Sequence, residues 1–178
     1  YWADVDKLNN EDKIRRVNEK TIKRHRLSFR PINMKKFEEE YLIIQDIFNQ
    51  AWEKNWGQIP LTKEDFEYIA SDLKPAVHSD FIILAFKDDT PIGMAVAFPD
   101  LNELIKGMNG SIFSFKAIRF FKYLLTKRIT VKRLRIFILG ILPDYDHTGA
   151  TASLYLSLID AARKHHMQGG EMAWVLED

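Results

Sequence analysis

The chain has 178 residues, of which 46% are hydrophobic and 29% are charged, and its formal net charge is +1. This length and composition indicate one globular domain of ordinary size, and the near-zero charge argues against a nucleic-acid binder. Cysteine is absent, which excludes disulfides, thiolate catalysis and zinc sites with sulfur ligands. No apolar run approaches the roughly 18 residues that a membrane-spanning helix needs.

The first 25 residues are polar and typical of a helix or linker, which we interpret as the end of a preceding domain or an appendage to a domain at 26–178. Residues 13–36 carry ten Lys or Arg and a single acid, Glu19. This run is either a solvated helix or an arm that faces an anion. No export signal follows Tyr1, which together with the missing cysteine predicts a cytoplasmic location. We expect the polypeptide to continue beyond both ends of this sequence.

The next segment alternates between polar and apolar residues at 26–32, which predicts a strand. Apolar residues at spacings of three and four then predict a helix over 33–52. Thr62 and Asp65 have the spacing of a capping box, so a second helix is expected over 64–73.

Two continuous apolar runs, at 81–86 and 92–98, are separated by a polar turn and predict a hairpin whose two faces are both covered. Gly93 indicates a bulge or a close approach of the backbone inside the second strand. The run at 134–142 is rich in branched residues and apolar throughout, so we expect it to be a central strand.

A basic amphipathic helix is predicted at 113–127, with Phe113, Ile118, Phe121 and Leu125 on its apolar face. Nine Lys or Arg and no acid lie between residues 104 and 143. We expect the apolar face to pack on the sheet of its own domain, and the alternative is an anionic membrane surface or a partner's groove.

A helix at 150–167 and a strand at 171–176 complete the pattern, which indicates an α/β (α+β) chain with a parallel pair at one end of a mixed sheet. Ligands of such sheets bind at the carboxyl edge of the strands, here at 139–151. Gly149 before a long helix offers free amides to an anion such as a phosphate, although a turn glycine is the commoner use of this residue. No phosphate-loop or dinucleotide fingerprint occurs, and no metal site is expected, because the 165–166 histidine pair lacks ligand spacing from any other histidine.

The hairpin at 81–98, the strand at 134–142 and the segment at 143–155 together resemble the GNAT superfamily of acyl-CoA-dependent N-acyltransferases. The resemblance covers residues 26–178. Within the superfamily, the sequence is most similar to bacterial GNAT-like proteins that carry a Pro-Asp-Leu-Asn-Glu segment, here at 99–103. It implies a mixed central sheet flanked by helices, in which the parallel fourth and fifth strands are splayed. It also implies a domain that is cut after the fifth strand.

The family pattern Arg/Gln-x-x-Gly-x-Gly/Ala, whose amides hold the coenzyme A pyrophosphate, is matched in part. Asp146 stands at the Arg/Gln position, Gly149 matches the first glycine, and Thr151 replaces the last small residue. A carboxylate at Asp146 would repel a diphosphate nearby. The resemblance implies acetyl-CoA or another acyl-CoA as co-substrate.

The implied coenzyme site combines the backbone of the fourth strand with the start of the following helix, where Gly140 would mark the bulge that splays the strands. Its residues are Leu139, Gly140, Ile141, Leu142, His147, Thr148, Gly149, Ala150 and Thr151. An amide near the strand would stabilise the oxyanion of acyl transfer. The tyrosine that often serves the family as general acid would fall after residue 178, so no catalytic residue is assigned.

Three polar residues at the end of the hairpin, Asp100, Asn102 and Glu103, are candidates to face the acceptor. The alternative, which we slightly favour, is that they cap the short helix that follows.

The sequence therefore predicts an N-acyltransferase that moves an acetyl or other acyl group to the amine of a small molecule or peptide. Asp146 and Thr151 motivate an alternative, a GNAT-like coenzyme-binding or scaffold module without catalysis. A third reading is a nucleic-acid or anionic-membrane binder that uses 13–36 and 106–135, and the near-zero net charge argues against both of these partners. A preceding domain and a homodimer are left open as protein partners.

Overall fold

The computed structural model describes residues 2–55, 57–106, 108, 111 and 117–172, which form a six-stranded sheet covered by helices. The strands are β1 Trp2–Asp4, β2 Leu27–Pro31, β3 Ile82–Lys87, β4 Thr90–Pro99, β5 Arg133–Ile141 and β6 Gly169–Met172. The helices are α1 Glu11–His25, α2 Phe37–Ala51, α3 Lys63–Leu73, α4 Asn102–Ile105, α5 Ala117–Thr126 and α6 Ala150–Lys164.

The sheet is mixed, with the strand order β1-β6-β5-β4-β3-β2. Strands β2 to β5 pair antiparallel with their neighbours, β5 and β6 run parallel over Arg133–Ile136, and β1 pairs antiparallel with β6. The predicted α/β fold class, the hairpin and the parallel pair are therefore confirmed. The predicted continuation of the last strand to residue 176 lies partly outside the described residues.

Both faces of the sheet are packed, as the continuous apolar strands predict. Neighbouring residues of β3 illustrate this, because Leu84 points into the core below α2 and α3 while Ala85 points into the core below α1, α5 and α6. Both side chains are 0% exposed. Successive side chains of a strand point to opposite faces of the sheet. A strand made only of apolar residues therefore needs a core on each face.

Helix α3 starts as its sequence predicts. Thr62 accepts a hydrogen bond from the N–H of Asp65 at 3.1 Å, and the Asp65 carboxylate accepts one from the N–H of Thr62 at 3.3 Å. This reciprocal pair satisfies two amides that have no partner inside the helix. The capping box therefore fixes the start of α3.

Gly93 lies next to a register shift between β3 and β4, at Ala85 and Phe86. A Cβ atom at this position would come within 2.9 Å of the carbonyl oxygen of Gly140 on β5. The prediction of a bulge or close backbone approach at Gly93 is therefore confirmed.

The bulge in β5 lies at Phe137, not at Gly140, so that part of the prediction is wrong. The register between β4 and β5 shifts where Val96 pairs with Ile138 and Ala97 pairs with Ile136, which leaves Phe137 as the extra residue. Gly140 has another reason to be glycine, because a Cβ there would lie 2.3 Å from the Trp52 ring at the end of α2.

The first 25 residues contain the predicted helix, α1, and a strand that the sequence does not reveal. β1 extends the edge of the sheet, and α1 packs along α6 through a hydrogen bond from Ser153 to Asn18 of 2.6 Å. Near the other end of α6, Arg163 and Arg15 bind Glu11 and hold the pKa of its carboxyl at about 2. How this segment divides from 26–178 stays a prediction.

Helix α5 buries a different face from the one predicted. Ala117 and Tyr123 are buried, and Phe120 and Leu124 pack beside them on the core. Of the residues predicted to pack, Ile118 is 59%, Phe121 is 45% and Leu125 is 84% exposed, and Phe113 lies outside the described residues. Within the described chain, no helix combines the length and apolarity needed to cross a bilayer.

Candidate functional site

The start of α6 has the geometry of an anion site. Gly149 is the N-cap and has φ 73° and ψ 13°, a left-handed conformation that glycine adopts without strain. Before it, the hydroxyl of Thr148 donates to the carbonyl of Tyr145 at 2.6 Å and accepts from the N–H of Ala150 at 3.4 Å. Thr148 is 1% exposed, so this turn is held rigidly against the core.

The remaining amides at this helix start are unoccupied by the protein. No side chain caps the helix, so the N–H groups of Thr151 and Ala152 in its first turn have no partner inside the helix. Thr151 and Ala152 are exposed. A cluster of free amides at the positive end of a 15-residue helix attracts a phosphate group.

The basic end of α1 lies beside this helix start, which the sequence reasoning did not foresee. A Cβ at Gly149 would lie 3.1 Å from Cγ2 of Thr21, and the rings of His25 and His147 are 6.2 Å apart. The last turn of α1 carries Lys23, Arg24 and His25. The positive charges of Lys23 and Arg24 partly offset the negative charge of the exposed Asp146 carboxylate near Gly149.

The backbone of β5 presents amides on the side that faces away from β4. Leu142 donates its N–H to the carbonyl of Ile92 at 2.8 Å. Because N–H groups alternate in direction along a strand, that of Gly140 also faces β4, whereas those of Leu139 and Ile141 face the opposite edge. The described pairing of β5 with β6 ends at Ile136, before these residues. Leu139 and Ile141 thus supply donors of the kind that an oxyanion requires.

An apolar cavity of about 320 Å³ lies next to this stretch, between the sheet and the pair α2 and α3. Residues of the strands β3, β4 and β5 form its floor, and both helices form its walls. Phe137 and Ile138, the two residues before Leu139, line it. The sequence reasoning missed this cavity, because its lining residues carry the same apolar pattern as an ordinary core.

The structure does not bring the three acceptor-facing candidates to the coenzyme site. Asp100 follows β4 and pairs its N–H with the carbonyl of Arg133, at the start of β5, whereas Leu139–Leu142 lie at the end of that strand. Six residues of strand separate the two positions by about 20 Å. Asp100 accepts from the N–H of Asn102 at 3.2 Å, and Glu103 accepts from that of Lys132 at 3.1 Å. These contacts favour the local structural role.

A group of potential metal ligands, His78, Asp80 and His165, meets near the C-terminal end of α6, with ligand atoms within 4.8 Å of one another. Nε2 of His165 lies 2.7 Å from the Asp80 carboxylate, and Nζ of Lys164 lies 2.8 Å from the same oxygen. That oxygen therefore has partners without a metal. The group is about 20 Å from Gly149, the length of α6. The prediction that no metal binds stays a prediction.

We expect the group around Asp80 to make the fold sensitive to mild acid. Burial, and then the neighbouring His165, lower the pKa of His78 below its ordinary 6.5. Below pH 6.5 the unfolded chain therefore binds a proton at His78 before the folded chain does, and the free energy of unfolding falls. Urea unfolding at pH 7.5 and pH 5.5 measures this, with a His78→Gln variant expected to lose less stability. An equal pH dependence in both proteins would contradict it.

The pKa of Asp80 acts at lower pH. Burial raises it, but the hydrogen bonds from Lys164 and His165 outweigh burial and keep the pKa below its ordinary value. The stability that Asp80 contributes is thus present above pH 3.8 and is lost as the pH falls through the lower, folded-state pKa. Its titration is therefore separated from that of His78.

No protein-family model matches the chain, but curated relatives do. Protein YghO of Escherichia coli is 33% identical over 158 residues, which are 86% of this chain and 40% of that protein. The bacterial ceramide synthase of Caulobacter vibrioides is 27% identical over 152 residues, 83% of this chain and 39% of that protein. The chain spans about two fifths of the length of these relatives.

The architecture matches solved acetyltransferase structures. A GCN5-related N-acetyltransferase from Sphaerobacter thermophilus superposes with a TM-score of 0.53 and 11% identity, over 82% of this chain and 35% of that one. At this identity the likeness shows the fold alone. The strand order and the parallel pair β5–β6 agree with it, so the chain has the GNAT fold.

Proposed function

We propose that this chain, which has the GNAT fold, is the acyl-CoA-binding part of an N-acyltransferase. The observation that carries the proposal is the start of α6, where the uncapped first-turn amides of Thr151 and Ala152 follow Gly149 and lie beside the basic last turn of α1. A diphosphate bound there would place the rest of the coenzyme along the edge of β5 that faces away from β4.

The reaction needs few groups from the protein. The neutral amine attacks the thioester carbonyl, a C–N bond forms as the C–S bond breaks, and the thiolate leaves and takes up a proton. The N–H groups of Leu139 and Ile141 face the edge where the carbonyl oxygen would become an oxyanion, and each donor of this kind is worth about 2.7–4 kcal/mol of transition-state stabilisation. Holding the thioester and amine together supplies a further large part of the rate.

The acyl group and the acceptor are proposed from the relatives. The relative from Caulobacter vibrioides is named a ceramide synthase, and a ceramide is the amide of a fatty acid with a long-chain amino alcohol. A fatty acyl-CoA and a long-chain amino alcohol are therefore the first substrate pair to test, ahead of acetyl-CoA with a small amine or peptide.

The test combines calorimetric titration with an assay for released thiol. We expect coenzyme A and its thioesters to bind, and thiol to appear when an amine acceptor is added. Absence of binding at millimolar coenzyme would contradict the proposal. Binding without transfer across a panel of amines would instead support the non-catalytic coenzyme-binding module.

A second candidate activity, association with an anionic membrane surface, is favoured by α5. Ile118, Phe121 and Leu125 are exposed along this helix, with the exposed cations Arg119 and Lys122 among them. An exposed apolar stripe flanked by Lys and Arg is typical of helices that lie in the membrane interface. Nine Lys or Arg and no acid between residues 104 and 143 add long-range attraction to anionic lipids.

Sedimentation with vesicles tests this candidate. We expect binding to phosphatidylglycerol-containing vesicles that weakens with added salt and is lost in Leu125→Glu. Val17→Glu is the matched control, because Val17 is an exposed apolar residue of α1, 56% exposed. Equal binding by both variants, or no binding to anionic vesicles, would contradict a role for α5.

A further inference from the structure

The cavity between the sheet and the helices α2 and α3 is an apolar cleft of about 320 Å³. It is open to solvent on one side, where Ile69 and Phe137 of its lining are 39% and 44% exposed. That volume falls in the range of small-molecule sites, about 300–1,000 Å³. The space therefore has the size of a ligand site.

The lining of the cavity selects the chemistry of its occupant. Its residues are aliphatic or aromatic, and the hydroxyl of Tyr41 is the single polar side-chain group among them; they include Tyr41, Phe66, Ala70, Val96, Phe98 and Ile138. Among the residues that the structure describes, no charged side chain lines the cavity. A charged or strongly polar ligand would lose its hydration without compensation here, whereas a hydrocarbon chain gains by leaving water.

The lining of the cavity includes the residue that precedes Leu139 on β5. Ile138 lines it and is adjacent to Leu139, whose N–H faces the proposed thioester. At its rim the rings of Phe98 and Phe137 meet edge to face, with centroids 5.8 Å apart, and Phe137 is 44% exposed. The bulge at Phe137 redirects β5 at this point, between the cavity and the donors of Leu139 and Ile141.

We propose that this cavity holds the fatty acyl chain of the acyl-CoA, so that the protein selects medium- to long-chain thioesters over acetyl-CoA. The proposal rests on the acyl-CoA function proposed above. A water molecule occupies about 30 Å³ in the liquid and a methylene group is of similar size, so the cavity has room for about ten chain carbons. A chain that starts at the thioester carbonyl beside Leu139 would pass Ile138 and continue along the apolar walls that α2 and α3 form.

The test measures the affinity of the protein for coenzyme A thioesters with acyl chains of increasing length. Burial of one methylene group stabilises binding by about 0.8 kcal/mol, or about fourfold in affinity, so the dissociation constant should fall steeply with chain length. The fall should end near ten carbons, when the cavity is full. A flat series from acetyl to dodecanoyl, with coenzyme A still bound, would overturn this inference and leave the acyltransferase proposal standing.

A variant that fills the cavity sharpens the test. Ala70 of α3 lines it and is 8% exposed, so Ala70→Phe should cut the ratio of decanoyl-CoA to acetyl-CoA affinity by at least tenfold. Ala161→Phe is the matched control: Ala161 is 9% exposed on α6, on the opposite face of the sheet, and the ratio should not change. Ala70→Leu serves as the milder replacement if the larger ring prevents folding.

The remaining outcomes separate the possible failures. If affinity instead rises with the chain length of a long-chain amine while the thioester series stays flat, the cavity belongs to the acceptor and the inference is wrong. If neither coenzyme A nor any of its thioesters binds, the acyltransferase proposal is wrong, and this inference, which rests on it, is wrong as well.

Discussion

Replacing Gly149 with valine should weaken the binding of coenzyme A about tenfold to a hundredfold. Gly149 has a φ of 73°, a conformation that costs a β-branched residue about 1–2 kcal/mol, and its Cβ would also press on Thr21 at 3.1 Å. The turn would relax and move the free amides away from the diphosphate. Loss of one hydrogen bond to a charged group weakens binding by about 1.5–3 kcal/mol, which gives the expected factor.

The control for this variant is Gly57→Val. Gly57 has almost the same conformation, with a φ of 77°, but no atom lies within 4 Å of the position of its Cβ. Valine should therefore cost a similar backbone strain there and leave coenzyme affinity unchanged. Equal weakening in the two variants would show that the effect at Gly149 comes from general strain and not from the site.

Replacing Phe81 with alanine should lower the free energy of unfolding by about 3–5 kcal/mol, the usual cost of removing a buried aromatic ring. Phe81 is 0% exposed and belongs to the core below α6. Its ring also contacts His78 and His165, with centroids 5.6 Å and 5.3 Å away, so the histidine group would lose its packing partner. Urea unfolding monitored by tryptophan fluorescence measures the loss.

Phe121→Ala is the matched control for Phe81→Ala. Phe121 is 45% exposed on the outer face of α5, so the same truncation should change the free energy of unfolding by no more than about 0.5 kcal/mol. A loss at Phe121 as large as the loss at Phe81 would mean that α5 packs with its other face inward. The second variant therefore also tests the corrected orientation of this helix.

The elements that the sequence predicts well are those with a strong local signal. Continuous branched runs can be stable only when both faces are covered, which is why the strands β3, β4 and β5 are predicted correctly. Thr62 and Asp65 fix a helix start through contacts within four residues. In each case the deciding interactions are close in the chain or follow from the burial of a whole strand.

The elements that the sequence does not predict depend on distant partners. Strand β1 has three residues, Trp2–Asp4, and exists because β6 offers a free edge, while α1 shows no buried residue that would reveal its packing on α6. A glycine inside a strand suggests a bulge when only the sequence is known. The actual reason for Gly140 is the ring of Trp52, which is distant in the chain and packs against it in the fold. The outward face of α5 was assigned to the core because it is apolar, although the adjacent face packs there instead.

The candidate site follows the same division. The turn at Gly149 was predicted from a local pattern, and the structure gives it the conformation and free amides of an anion site. The basic end of α1 beside it and the cavity at Ile138 arise only when separate elements are brought together. The pattern of charged and apolar residues along a single strand or helix does not indicate which other elements will pack beside it.

The central claim is that the amides at the start of α6 bind the diphosphate of a coenzyme A thioester next to the edge of β5 that faces away from β4. Titration of the ¹⁵N-labelled protein with coenzyme A, followed residue by residue by NMR, tests it most directly. We predict the largest amide shifts at Gly149, Thr151 and Ala152, with smaller shifts at Leu139 and Ile141. Shifts confined to other parts of the molecule, with these five amides unmoved at saturation, would contradict the claim.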